Sequence, residues 1–190
     1  MKKETLYLIG GSGFIGKNLV RCLSPFYGIT VFDKYIDTQF FSNYPQVQTC
    51  RLDLVIDKVP TNYPVPEFII NLASVVTAER DLSLFDILIS SNLKILLNLF
   101  ERFRDDKRLK MFIQFGSSEE YGSENSPFKE ENRENPNSPY ALVKQLTTNT
   151  SIMLHRNYGF PVMVVRPGNL FGPGQNNSKF IPYVIDQLKK

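Results

Sequence analysis

The chain has 190 residues, 42% of them hydrophobic and 22% charged, with a formal net charge of +3. That length suits one domain, able to bury roughly 70% of the surface its unfolded chain exposes, so no disulfide or metal staple is needed. The small charge without a basic stripe argues against a nucleic-acid partner, and two cysteines without CxxC spacing and a lone histidine argue against a disulfide framework and a metal site.

The chain opens Met1-Lys2-Lys3, but the apolar run behind it, Leu6 to Ile9, ends at Gly10-Gly11. That run is too short for a signal peptide or a membrane span, so a cytoplasmic protein without a membrane partner is expected. Leu6–Ile9 reads as a first strand and Phe14–Leu23 as a helix; Ile29–Phe32 is a second strand and Val47–Leu52 a weaker third. Phe68–Ile70 is a buried strand, Leu82–Phe103 a long helix and Met111–Phe115 a fifth strand. Tyr140–Tyr158 is a helix, Val162–Val165 a sixth strand and Lys179–Leu188 a last helix. Strands separated by helical crossovers predict an α/β fold, a doubly wound parallel sheet with helices on both faces. The near-continuous apolarity of the strands agrees, because such a sheet is covered on both sides. Between Gly122 and Ser138 lies a polar stretch with no periodicity, a loop longer than most connections.

Gly10-Gly11-Ser12-Gly13-Phe14-Ile15-Gly16 follows the first strand and opens the first helix. Glycines there let a diphosphate approach the backbone, and the helix N-terminus offers unpaired N–H groups and partial positive charge. Asp33, after the second strand, is placed to accept hydrogen bonds from the ribose hydroxyls of NAD and to repel the 2′-phosphate of NADP. Lys34 beside it works the other way, so NAD is preferred and NADP stays possible.

Two further stretches carry chemistry. "FGSSEEYG", Phe115 to Gly122, puts hydroxyls, carboxylates and a phenol at the end of an apolar strand. Ser138-Pro139-Tyr140-Ala141-Leu142-Val143-Lys144 places Tyr140 and Lys144 on one helix face at i and i+4. A tyrosine titrates near pH 10, so an adjacent ammonium is expected to lower Tyr140 toward the range of useful proton transfer.

Read in order, "GGSGFIG", "VFDKY", "RLDL", "NLAS", "SNLKILLNLFE", "FGSSEEYG", "SPYALVK" and "VVRPGNLFGPGQ" resemble the extended short-chain dehydrogenases/reductases, the family of NAD-dependent nucleotide-sugar epimerases, dehydratases, decarboxylases and 4-keto reductases. The resemblance runs from Leu6 to Lys190 and implies one NAD(P)-binding Rossmann domain over residues 1–190. It implies Ser117, Tyr140 and Lys144 as catalytic residues, with Glu119 as a further candidate. Ser117, Ser118, Glu119 and Asn169 are implied to meet a nucleotide-sugar substrate. For the coenzyme it implies Gly10, Gly13, Phe14, Ile15, Gly16, Asp33 and Lys34 around the diphosphate and ribose, then Asp53 and Leu54 at the adenine. It adds Leu72, Ala73, Asn92, Tyr140, Lys144 and Pro167 along the rest of the coenzyme; for Asn92 an internal helix hydrogen bond is the competing expectation. Where this chain has Ser118-Glu119, epimerases of the family often carry small residues, dehydratases an Asp-Glu pair and decarboxylases a Ser-Glu pair, while "GSSEEYG" in full is most similar to reductases of 4-keto-6-deoxy sugar nucleotides. Glu120 stands where the family usually has valine and is expected to be structural or exposed; Tyr121 is expected to pack, and His155 to lie on the surface.

The resembled family continues into a small substrate-binding domain, whereas this sequence stops at Lys189-Lys190; a fragment or truncated product with weak turnover and retained coenzyme binding is the expectation. Phe180, Ile181, Val184, Ile185 and Leu188 form an apolar stripe that such a domain is expected to cover. By analogy a homodimer is expected, packed through the two long helices. The readings in competition are a 4-keto sugar reductase, a 4-epimerase (or a dehydratase or decarboxylase of the same family), and a non-catalytic NAD-binding module.

Overall fold

The computed structural model describes residues 3–189; Met1, Lys2 and Lys190, and with them the basic start of the chain, lie outside the described residues. Six parallel strands run β1 (Thr5–Ile9), β2 (Gly28–Asp33), β3 (Gln48–Arg51), β4 (Phe68–Asn71), β5 (Met111–Phe115) and β6 (Val162–Val165). Their order across the sheet is β3-β2-β1-β4-β5-β6, with every neighbouring pair parallel. The chain therefore reverses its direction of travel between β1 and β4, the crevice where open α/β sheets bind ligands.

Strand periodicity sets the two core layers. Tyr7 and Ile9 of β1 point to one face with Phe32, Ile69 and Phe112, while Leu6 and Leu8 point to the other with Ile29, Val31 and Ile70. The first face is covered by α3 (Leu82–Phe103), the second by α1 (Phe14–Leu23) through Val20 and by the short α2 (Thr38–Phe41) through Phe41. By length and composition alone α3 could cross a membrane. Its Ile95, Leu96, Leu99, Phe100 and Phe103 are instead buried against the sheet, which accounts for the apolar composition. The helix is expected to be uniform, yet it holds a 3-10 turn at Leu82–Leu84 and a π-helical turn at Ser90–Lys94. Two further helices follow, α4 (Pro139–Tyr158) and α5 (Phe180–Leu188). Ser138 caps α4 by accepting from the Ala141 N–H at 3.1 Å, with proline at the first turn and Gly159 in the left-handed region at its end. Residues 122–138 form no helix or strand, as the sequence leads one to expect. His155 is exposed, its Nδ1 set 2.9 Å from the Phe160 carbonyl.

Candidate active site

Two adjoining clefts open along the C-terminal ends of the strands and share Gly10, Gly13, Leu72 and Ser74. The first, about 820 Å³, is lined by Asp33, Lys34, Asp53, Leu54 and Ala73. The second, about 540 Å³, is lined by Phe14, Ile15, Gly16, Ser117, Ser118, Glu119, Tyr140, Lys144, Pro167 and Asn169. A cleft pair of this shape suits an elongated ligand with a charged middle, because the glycine loop lies at the junction.

The loop itself fits a diphosphate. Gly10 has φ of 74°, and a Cβ there would lie 2.8 Å from the Ala73 amide nitrogen, so the turn and the close approach both require glycine. Helix α1 begins at Phe14 with no side-chain cap and no acid in its first turn, leaving its N-terminal N–H groups and dipole open to an anion. Asp33 reaches back into this loop: its Oδ2 accepts from the Ser12 N–H at 2.9 Å and its Oδ1 from the Tyr35 N–H at 3.1 Å. Lys34 turns away to pair with Asp53 at 3.0 Å. That hydrogen bond raises the lysine above its ordinary value and lowers the aspartate below its own.

In the second cleft the strand–turn geometry sets the hydroxyls. Ser117, at the end of β5, caps a 3-10 turn over Ser118–Tyr121, its Oγ accepting from the Glu119 N–H at 3.2 Å. Helix α4 brings in Tyr140 and Lys144, both buried. Lys144 Nζ donates to the Phe115 carbonyl at 2.9 Å and lies 5.8 Å from the centre of the Tyr140 ring. Burial lowers the Lys144 ammonium to about 8, with Glu120 opposing. Burial also pushes the Tyr140 phenol up to about 12; hydrogen bonds from Ser117 and Ser74 pull it down, while Glu119 and Glu120 push it up. This corrects the expectation that Lys144 depresses the phenol. The ammonium is engaged by a strand carbonyl, and loss of solvent outweighs any attraction it exerts on the phenolate.

A family model, described as the NAD dependent epimerase/dehydratase family, matches residues 6–190. The chain belongs to the NAD dependent epimerase/dehydratase family. Among curated relatives it is 30% identical over 214 residues to an uncharacterised protein of Schizosaccharomyces pombe, covering 96% of this chain and 58% of that one. It is 28% identical over 199 residues to a dTDP-glucose 4,6-dehydratase of Streptomyces niveus, covering 93% of this chain and 57% of the relative. Among solved structures, the UDP-N-acetylglucosamine 4-epimerase of Methanobrevibacter ruminantium M1, in complex with UDP-N-acetylmuramic acid, superposes with a TM-score of 0.89 at 25% identity. That match covers 100% of this chain and 64% of the epimerase. The chain thus spans well under two thirds of its curated relatives in the family.

Against this family background one residue needs correction. Asn92 does not line either cleft. It is fully buried, its Nδ2 donates to the Leu88 carbonyl at 2.9 Å, and its Oδ1 is left without a partner. Asn92 lies in the π-helical turn of α3, and the internal helix bond prevails. Glu120 is structural and entirely buried, not exposed: an ion pair with Arg166 at 2.8 Å and the Ser117 amide compensate it. Sequence reasoning missed Ser74, Gln175, Asn176 and Lys179, which also line the clefts. Ser74 sits in the quoted "NLAS" and Gln175 closes the quoted "VVRPGNLFGPGQ", and those positions were the available signals; Asn176 and Lys179 lie beyond that string with no local pattern to mark them.

Proposed function

We propose that this chain binds NAD across the two clefts and contributes the coenzyme half of an enzyme that carries out hydride chemistry at C4 of a nucleotide-linked hexose. The observation that carries this reading is the convergence of Ser117, Tyr140 and Lys144 on a cleft that adjoins the glycine loop. NAD supplies the hydride acceptor or donor when bound. The glycine loop and the α1 N-terminus hold its diphosphate, Asp33 its ribose, and Asp53 and Leu54 flank the adenine. Because Lys34 is engaged by Asp53, it is a poor receptor for a 2′-phosphate, which favours NAD over NADP. Ser117 hydrogen-bonds both the sugar oxygen and the phenol, Tyr140 exchanges the proton, and Lys144, anchored on the Phe115 carbonyl, meets the nicotinamide ribose. Glu119, Ser118 and Asn169 face the sugar nucleotide.

The preferred reaction is reduction of a nucleotide-linked 4-keto-6-deoxy sugar. The "GSSEEYG" stretch at the cleft supports it, with the protonated Tyr140 phenol available to deliver a proton to the oxygen of a ketone as hydride adds. Ser118 in place of an acid beside Glu119 disfavours elimination of water. The second reading is 4-epimerisation; the similarity to the archaeal 4-epimerase and the NAD-type Asp33 favour it. Mixing the natural gene product with NADH and a nucleotide 4-keto-6-deoxy sugar decides between them. A reductase consumes NADH in proportion to product, whereas an epimerase interconverts two sugars with no net change in the coenzyme. A protein that binds NADH and ignores every nucleotide sugar overturns both. Self-association through α3 and α4 belongs to the same proposal; Leu142 and Leu146 of α4, 45% and 43% exposed, and Ile87 of α3, 51% exposed, support it.

A further inference from the structure

A buried polar cluster lies behind the second cleft rather than in it. Glu120 has no exposed surface. Its Oε1 accepts from the Ser117 N–H at 2.8 Å, and its Oε2 lies 2.8 Å from Arg166 Nε, close enough for an ion pair but out of line for a hydrogen bond. A Cβ on Gly116 would come within 2.4 Å of Glu120 Oε1, so the carboxylate packs directly against the strand end. Arg166 also donates through Nη1 to the Tyr121 hydroxyl at 2.9 Å and through Nη2 to Glu134 of the long loop. The loop backbone is tied to the same residue, the Asn135 N–H donating to the Glu120 carbonyl at 3.0 Å. Neither Glu120 nor Arg166 lines a cleft.

Burying a carboxylate is unfavourable unless its partners are well placed, and an apolar side chain fills such a site at lower cost. A fully buried acid is therefore more easily explained by what it orients than by stability. The atom it orients here is the Ser117 amide nitrogen, two bonds away from the carbon that carries the hydroxyl facing Tyr140.

We propose that Glu120 is a positioning residue: anchored by Arg166, it fixes the backbone of Ser117 at the end of β5 so that the serine hydroxyl meets the Tyr140 phenol. The functional half of this statement rests on the reading of Ser117 and Tyr140 given above; the structural half does not. The guanidinium that anchors Glu120 also holds Glu134, so the loop over residues 122–138 and the serine share one support.

The test compares Glu120→Gln and Glu120→Val in the natural gene product. Glutamine keeps an acceptor for the Ser117 amide and valine does not. The expected result is an upfield move of the Ser117 amide proton in Glu120→Val and a smaller one in Glu120→Gln. With it goes a fall in kcat on the order of 10²-fold for valine, the penalty of a small misplacement, partly rescued by glutamine. KM and NADH affinity stay within about twofold, because neither residue lines the binding clefts, and in a Ser117→Ala background the Glu120 change adds no further loss. An unmoved Ser117 amide overturns the proposal. So does an equal loss of kcat in the Ser117→Ala background, or a loss that only tracks reduced NADH binding. If the parent protein turns over no sugar nucleotide, the functional reading fails on its own. The amide shift then still decides whether Glu120 holds Ser117. If Glu120→Val does not fold, the glutamine variant and Arg166→Gln carry the same comparison.

Discussion

Tyr140 and Lys144 show how burial rewrites the chemistry that spacing suggests. Their i, i+4 relation is visible in the sequence, and the structure keeps both on one cleft. The ammonium, however, is spent on the Phe115 carbonyl, and desolvation dominates both titrations. A lysine whose folded value is about 8 rather than 10.5 is penalised when charged. That penalty is fully present below pH 8 and is relieved as pH rises toward 10.5, amounting to about 3 kcal/mol. Replacing Lys144 by methionine is therefore expected to stabilise the ligand-free protein at pH 7 by about 1–3 kcal/mol, while abolishing turnover. The advantage should vanish by pH 10.5, and thermal melts of both proteins across that range would reveal it. The Phe115 carbonyl keeps a second donor in Gln114 Nε2 at 3.2 Å, so the substitution leaves no orphaned acceptor there. Tyr140→Phe is expected to retain NADH binding but lose turnover by about 10²–10⁴-fold, as removal of a proton donor does. Glu120 could not be placed from its neighbours, since a run of two acids ordinarily reads as a solvated turn. The Ser117 amide beside it and Arg166, far along the chain, together make its burial tolerable.

Among the elements, the six strands were legible because both faces of the sheet are covered and the apolar runs are unbroken. The ends of β3 shift by a residue, as edge strands with mixed composition do: its residues are mostly exposed. The π-helical turn in α3 was not legible. Apolar residues at helical spacing continue through it, and one extra residue per turn leaves no mark in composition. The glycine loop was legible in kind, while the reason for each glycine was not. Gly10→Ala is expected to weaken NADH at least about tenfold, since its positive φ and the contact with Ala73 together impose strain of about 1–3 kcal/mol. Fluorescence titration of the nicotinamide measures this, and unchanged affinity would show that the loop does not cradle the coenzyme.

For the whole molecule, the exposed apolar surface is the informative feature. Leu142 and Leu146 lie on one face of α4, and Ile152 and Met153 further along the same helix are 37% and 39% exposed. On α5, Phe180, Ile185 and Leu188 of the stripe predicted from helical spacing are exposed, at 78%, 45% and 81%, while Ile181 and Val184 are half-buried. Sedimentation is expected to show a dimer that Leu146→Glu converts to a monomer with the same NADH affinity; a parent protein that is monomeric at all concentrations would remove the α3–α4 pairing.

The order of apolar runs, the glycine-rich turn and the Tyr140–Lys144 spacing are local properties, so the sequence by itself determined the parallel sheet, the glycine turn at its switch point and which side chains are candidates for the chemistry. What the tertiary structure decided was how those side chains are charged and held: the lysine on a strand carbonyl, the phenol driven up by burial, the acid at Glu120 sealed against Arg166. Those depend on solvent exclusion and on partners distant in the chain, and neither quantity exists until the sheet and helices close around the site.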